Sequence, residues 1–113
     1  MLVKKLSAKE IKYSSDCVMQ EYDYPSNSSS VATAFIDGRF PIEKRTVNLE
    51  CEEVYYVLAG SGIIHSEKGE FEISEGDLYF FEKGEIYWVE GNKLSLVLVN
   101  TPKWSVEQHK IVD

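Results

Sequence analysis

The chain has 113 residues, 43% of them hydrophobic, and its 12 Lys and Arg against 19 Asp and Glu leave a formal charge of −7. That length suits one domain, and seven Tyr, five Phe and two Trp supply material for a packed core, so the composition is not that of a disordered chain. The acidic balance repels polyanions and excludes nucleic acid and anionic lipid as expected partners.

Residues 1–16 mix Lys, Ser and Glu with scattered apolar positions and follow neither a two-residue nor a 3.6-residue period, so they read as an N-terminal arm with at most one short strand. Met1-Leu2-Val3-Lys4-Lys5 leads into no apolar signal core, and Leu94 to Val99 is far shorter than the roughly 20 residues that cross a bilayer. Neither export nor membrane association is expected, and the cytoplasm is the expected location. Cys17 to Tyr24 reads as a strand, ended by Pro25 and the polar run Ser26-Asn27-Ser28-Ser29-Ser30. Cys17 and Cys51 show no Cys-x-x-Cys spacing and are expected as free thiols, buried or semi-buried.

From Val31 onward, short runs rich in Val, Ile, Phe and Tyr alternate with Gly, Pro and Asn, which is an all-β pattern. The predicted strands are Val31 to Ile36, Arg45 to Leu49, Val54 to Leu58, Gly62 to Ser66, Phe71 to Ile73, Asp77 to Phe81, Ile86 to Glu90 and Leu94 to Asn100. Gly60, Gly62, Gly69, Gly76, Gly84 and Gly91 fall between these runs, where hairpins need residues tolerant of positive φ. Ala59-Gly60-Ser61-Gly62 opens no helix and is a tight turn, not a phosphate loop. So many short strands imply a double-sheet barrel, since closure removes exposed edges. The barrel is expected over residues 17–101, with residues 102–113 as a C-terminal tail whose Trp104 covers one end.

Glu52-Glu53-Val54-Tyr55-Tyr56-Val57-Leu58-Ala59-Gly60-Ser61-Gly62, with Glu53 seven positions before Gly60, resembles the end of the first cupin motif. Glu75-Gly76-Asp77-Leu78 and the later Gly84 resemble the second, with Glu82-Lys83-Gly84 where Pro-x-Gly is usual. The resemblance covers roughly residues 31–100 and implies a cupin-like jelly roll, the double-stranded β-helix barrel. It also implies where a metal would sit: a His-x-His pair, the glutamate, and a histidine after the second motif. Those histidine positions fall on Thr46 and Asn48, or on Val47 and Leu49 if the spacing is one residue shorter, and on Tyr87, leaving Glu53 as the only retained ligand type. One carboxylate with Thr, Asn and Tyr is a poor donor set for a first-row metal, so no metal and no cofactor is expected.

Strand alternation anchored on Glu53 turns Tyr55, Val57 and Ala59 inward and Val54, Tyr56 and Leu58 outward; anchored on Tyr87, it turns Val89 inward and Ile86 and Trp88 outward. The barrel mouth would gather Thr46, Asn48, Glu53, Tyr55 and Tyr87, a set suited to a small polar organic ligand. The competing reading is a filled interior in which the tyrosines occupy volume and Glu53 pairs with Arg45 or Arg39. His65 and His109 are expected on the surface. Tyr56, Leu58, Ile86 and Trp88 would form an outer apolar patch through which the protein is expected to homodimerise. Two functional classes follow: a binding module without turnover, or a metal-independent isomerase or epimerase using Glu53 as base and Tyr87 as acid.

Overall fold

The computed structural model describes residues 1–113 as a nine-stranded curled sheet. The strands are β1 (Lys9–Ser14), β2 (Cys17–Tyr22), β3 (Ser30–Phe40), β4 (Arg45–Asn48), β5 (Glu52–Ser66), β6 (Gly69–Ser74), β7 (Leu78–Phe81), β8 (Ile86–Thr101) and β9 (His109–Val112). Every pairing is antiparallel. No helix is long and apolar enough to cross a membrane.

Two long strands form the spine. β8 pairs with β5 along nearly its whole length and, on its other edge, with β3 and then β4. Each of these strands covers two of the short runs predicted from sequence. They stay continuous because Gly62 and Gly91 are not hairpin residues at all; they face each other as partners inside the β5–β8 ladder. A Cβ on Gly91 would lie 2.3 Å from the Ile36 carbonyl oxygen, so only glycine lets the strands approach here. Gly60 does need positive φ (78°) and sits at a bulge, where the register shifts between Val57, Ala59 and Ser61. That bulge resets the alternation and turns Ala59 to the surface, against the inward position expected for it.

Alternation elsewhere builds the core. Tyr87 and Val89, then Leu94, Leu96 and Leu98 on β8 are buried, facing Tyr55 and Val57 on β5 and Ala32, Ala34 and Ile36 on β3. Ile64, Ile73, Phe81 and Leu94 fill one end of the barrel. At the other end the inward β3 positions are alanines, too short to reach across, and the space stays open.

The terminal segments are more ordered than an arm and a tail. β1 and β2 form a hairpin that extends the β3 edge, and β9 pairs with β4 in register Thr46↔Ile111 and Asn48↔His109. Cys17 and Cys51 are buried free thiols. On the outer face Trp88 is shielded: His65 stacks on its ring at 3.8 Å, the Arg39 guanidinium lies 3.9 Å from the ring centre, and Glu70 and Glu90 hold the imidazole. Ile86 and Trp88 are only partly exposed, while Tyr56, Leu58, Leu78 and Phe80 form an exposed apolar group across β5 and β7.

Because the tolerance at Gly91 is one of space, Gly91→Ala is expected to destabilise the protein by about 2–3 kcal/mol, measured by urea unfolding. Gly84→Ala, which meets no neighbour within 4 Å, is expected to cost less, only its positive-φ strain.

Candidate functional site

The open end of the barrel encloses a cavity of about 530 Å³, within the range of small-molecule sites. Asn48, Glu53, Tyr55, Tyr87, Asn100 and His109 bring polar groups to it, while Ala32, Ala34, Ile36 and Leu98 supply an apolar wall. The filled-interior reading is thus overturned.

Glu53 is buried on β5 with no cation beside it. Its Oε1 accepts hydrogen bonds from the Tyr87 hydroxyl at 3.0 Å and from Asn48 Nδ2 at 3.3 Å. Neither arginine considered as its partner reaches it: Arg39 lies over Trp88 and Arg45 donates to the Asp113 carbonyl. Burial pushes the Glu53 carboxyl up to about 7, against the opposing pull of Tyr87, Asn100 and Asn48.

Asn48 is held at both ends. While its nitrogen serves Glu53, its Oδ1 accepts from Trp104 Nε1 at 3.2 Å and Gln108 Nε2 at 2.9 Å. Gln108 Oε1 in turn accepts the backbone N–H groups of Glu50 and Cys51. The segment read as a tail therefore fixes the amide that orients the carboxyl. Tyr55 and Tyr87 are wedged against Phe81, with ring centres 4.8 and 4.1 Å from it, and burial drives both hydroxyls well above their ordinary range. They remain protonated donors at neutral pH.

Of the five residues expected here, Asn48, Glu53, Tyr55 and Tyr87 line the cavity, but Thr46 does not. Thr46 is fully buried behind His109, its Oγ1 donating to the Lys110 carbonyl at 3.2 Å and meeting His109 Nε2 at 2.5 Å. Burial lowers the His109 pKa, so the imidazole is neutral at pH 7. His109 is thus a cavity residue, correcting its expected place on the surface, whereas His65 does lie on the outer face. Its position was hidden because β9 was read as irregular tail. Asn100 was also missed, although it follows Leu94, Leu96 and Leu98 in strict alternation on β8 and could have been found from that period.

The donor set does not suit a metal. No three His, Cys, Asp or Glu side chains converge, the positions where the resemblance would imply ligands hold Thr46, Asn48, Glu53 and Tyr87, and the one carboxyl carries a proton about half the time at pH 7.

The fold is the cupin barrel. Among solved structures the chain is similar to the Streptomyces nucleoside dehydratase Pac13, with a TM-score of 0.90 and 14% identity over 99% of this chain and 90% of that one. It is also similar to KdgF of Halomonas sp. (TM-score 0.77, 8% identity, 92% and 96% covered) and to ectoine synthase of P. lautus (0.67, 14%, 92% and 80%). Protein MJ1618 of Methanocaldococcus jannaschii is 24% identical over 102 residues, 85% of this chain and 82% of that protein. No family model matches the sequence.

Between about pH 4.5 and 7 folded Glu53 keeps a proton that the unfolded chain has released. Its contribution to stability is complete below that window and is lost as pH rises through it, on the order of 3 kcal/mol in all. His109, lowered by burial, acts in the opposite sense, losing stability as pH falls. Urea unfolding of wild type and Glu53→Gln from pH 5 to 8 separates the two: the difference in stability between them is expected to change by more than about 1 kcal/mol across the window. A constant difference would mean that Glu53 titrates at its ordinary pH.

Proposed function

We propose that the barrel interior binds a small polar organic molecule without a metal, using the uncompensated carboxyl of Glu53 as the group that reads it. The open cavity around a buried carboxyl with no cation carries this reading. Such a carboxyl is unfavourable unless something in the cavity answers it, and a ligand hydroxyl or N–H does so in the absence of water. The cavity has room for a molecule of nucleoside size, and the likeness to Pac13, whose variants have been solved with uridine, agrees with that scale.

A second reading, metal-independent acid–base chemistry, is favoured by one observation. The cavity wall holds two proton carriers in complementary states, Glu53 near neutrality and a neutral His109 with Nδ1 unbonded. Glu53 can then give a proton while His109 accepts one, which serves an isomerisation or an elimination of water. Tyr87 suits the acid role less well, since its hydroxyl is already committed to Glu53 and holds its proton tightly.

The exposed patch of Tyr56, Leu58, Leu78 and Phe80 supports self-association through the β5–β7 face.

Thermal shift with sugars, nucleosides and carboxylic acids is expected to find compounds that raise the melting temperature equally with and without EDTA. Glu53→Gln is expected to weaken that binding by about tenfold. A panel with no stabilising compound, or stabilisation that needs a divalent cation, would refute the proposal. For self-association, light scattering on a sizing column is expected to give a dimer for wild type and a monomer for Phe80→Glu.

A further inference from the structure

Two asparagines border Glu53, and they differ. Asn48 is used up, each end of its amide bonded to the protein. Asn100 is less committed: it is only 5% exposed, it lines the cavity, and its Nδ2, near enough to Glu53 to help lower that carboxyl's pKa, is buried without a hydrogen bond of proper geometry. Buried amides are almost always paired, so an unpaired one at the wall of an open cavity points to a partner that is not part of the protein.

Asn100 is the direct cross-strand partner of Glu53 in the β5–β8 ladder, so the two side chains stand side by side on the inner face. The terminal torsion of an asparagine is soft, and its amide turns to offer a donor and an acceptor together. A planar amide not locked by hydrogen bonds of its own reads a ligand edge that sets a donor beside an acceptor, as asparagine reads adenine in nucleic-acid complexes. The rest of the wall suits a flat ring, since Tyr13, Tyr22, Phe40 and Trp104 present aromatic surface around it.

We infer that the ligand carries a planar heterocycle whose edge places an N–H donor next to a carbonyl or ring-nitrogen acceptor, a lactam, imide or amino-azine, and that Asn100 pairs with that edge beside Glu53. This rests on the cavity being a ligand site, and it adds the chemical class. Ionised carboxylates lack the donor, and sugars lack the flat edge that holds donor and acceptor in one plane.

NMR titration of isotope-labelled protein tests it with matched probes: 2-pyridone and 2-aminopyridine against N-methyl-2-pyridone and 2-(dimethylamino)pyridine. The Asn100 side-chain amide and the Ala32 and Ala34 methyl signals report occupancy. Each parent is expected to bind at least about tenfold more tightly than its methylated counterpart, the usual consequence of stranding a buried hydrogen-bonding group. Asn100→Asp is expected to bring each pair to within about twofold, and the wild-type comparison decides even if that variant folds poorly. Equal binding of parent and methylated probes, or occupancy by sugars or acids with none by the ring probes, would overturn the inference while leaving the cavity a ligand site. Silence of the Ala32 and Ala34 methyls towards every compound would remove both.

Discussion

A carboxyl buried without a cation constrains everything around it. Glu53 is kept in the barrel by neutral groups alone, Tyr87 and Asn48 on one oxygen and Asn100 alongside, and burial raises its pKa to about 7. A lone buried charge in such surroundings would be prohibitive, and a carboxyl able to take up a proton avoids that cost. The donors cannot be moved without exposing the same problem, so the position of Asn48 matters as much as that of Glu53. The chain secures it with Trp104 and Gln108, from a segment more than 50 residues distant in sequence. Among the protein's own groups, what holds the site together is therefore a relay of amides.

The fold supplies this arrangement through its spine. β5 and β8 carry Glu53, Tyr55, Tyr87 and Asn100 on neighbouring strands with their inward faces in register. At the packed end Gly62 lets β5 pass close to β8, and Gly91 lets β8 pass close to β3. Packing at that end by Ile64, Ile73, Phe81 and Leu94 gives the polar end a rigid base. Rigid walls suit a polar cavity, because hydrogen-bonding groups held in place need not be ordered again when a ligand arrives.

Much of this was legible in the chain. The Val, Ile, Phe and Tyr runs and their punctuation identify an all-β barrel, and the Glu53–Gly60 spacing with Gly76-Asp77 and Gly84 carries the resemblance that points to the cupin fold. Alternation places Glu53, Tyr55 and Tyr87 indoors correctly, because those positions lie on regular stretches of β5 and β8. It fails at Ala59, where a bulge resets the period, and it split two long strands at glycines that serve close packing instead of turning. Thr46 was expected in the cavity, but only the pairing of β4 with β9 reveals that His109 stands in front of it. A four-residue strand such as His109–Val112, assembled by a partner distant in the chain, leaves little local signature. Asn100 is different, since its place in an alternating series was visible and its lack of a partner was not.

The two alanines on β3 have a meaning for how such a protein diversifies. Cavity volume is governed by Ala32 and Ala34, on a strand that contributes no group to the carboxyl and its amides. Shape and chemistry are thereby inherited on separate strands. A change to a bulkier side chain at either alanine would shrink the chamber and alter which guests fit, while the polar apparatus opposite continued unaltered. The chamber's dimensions can drift in this scaffold without its polar centre being rebuilt.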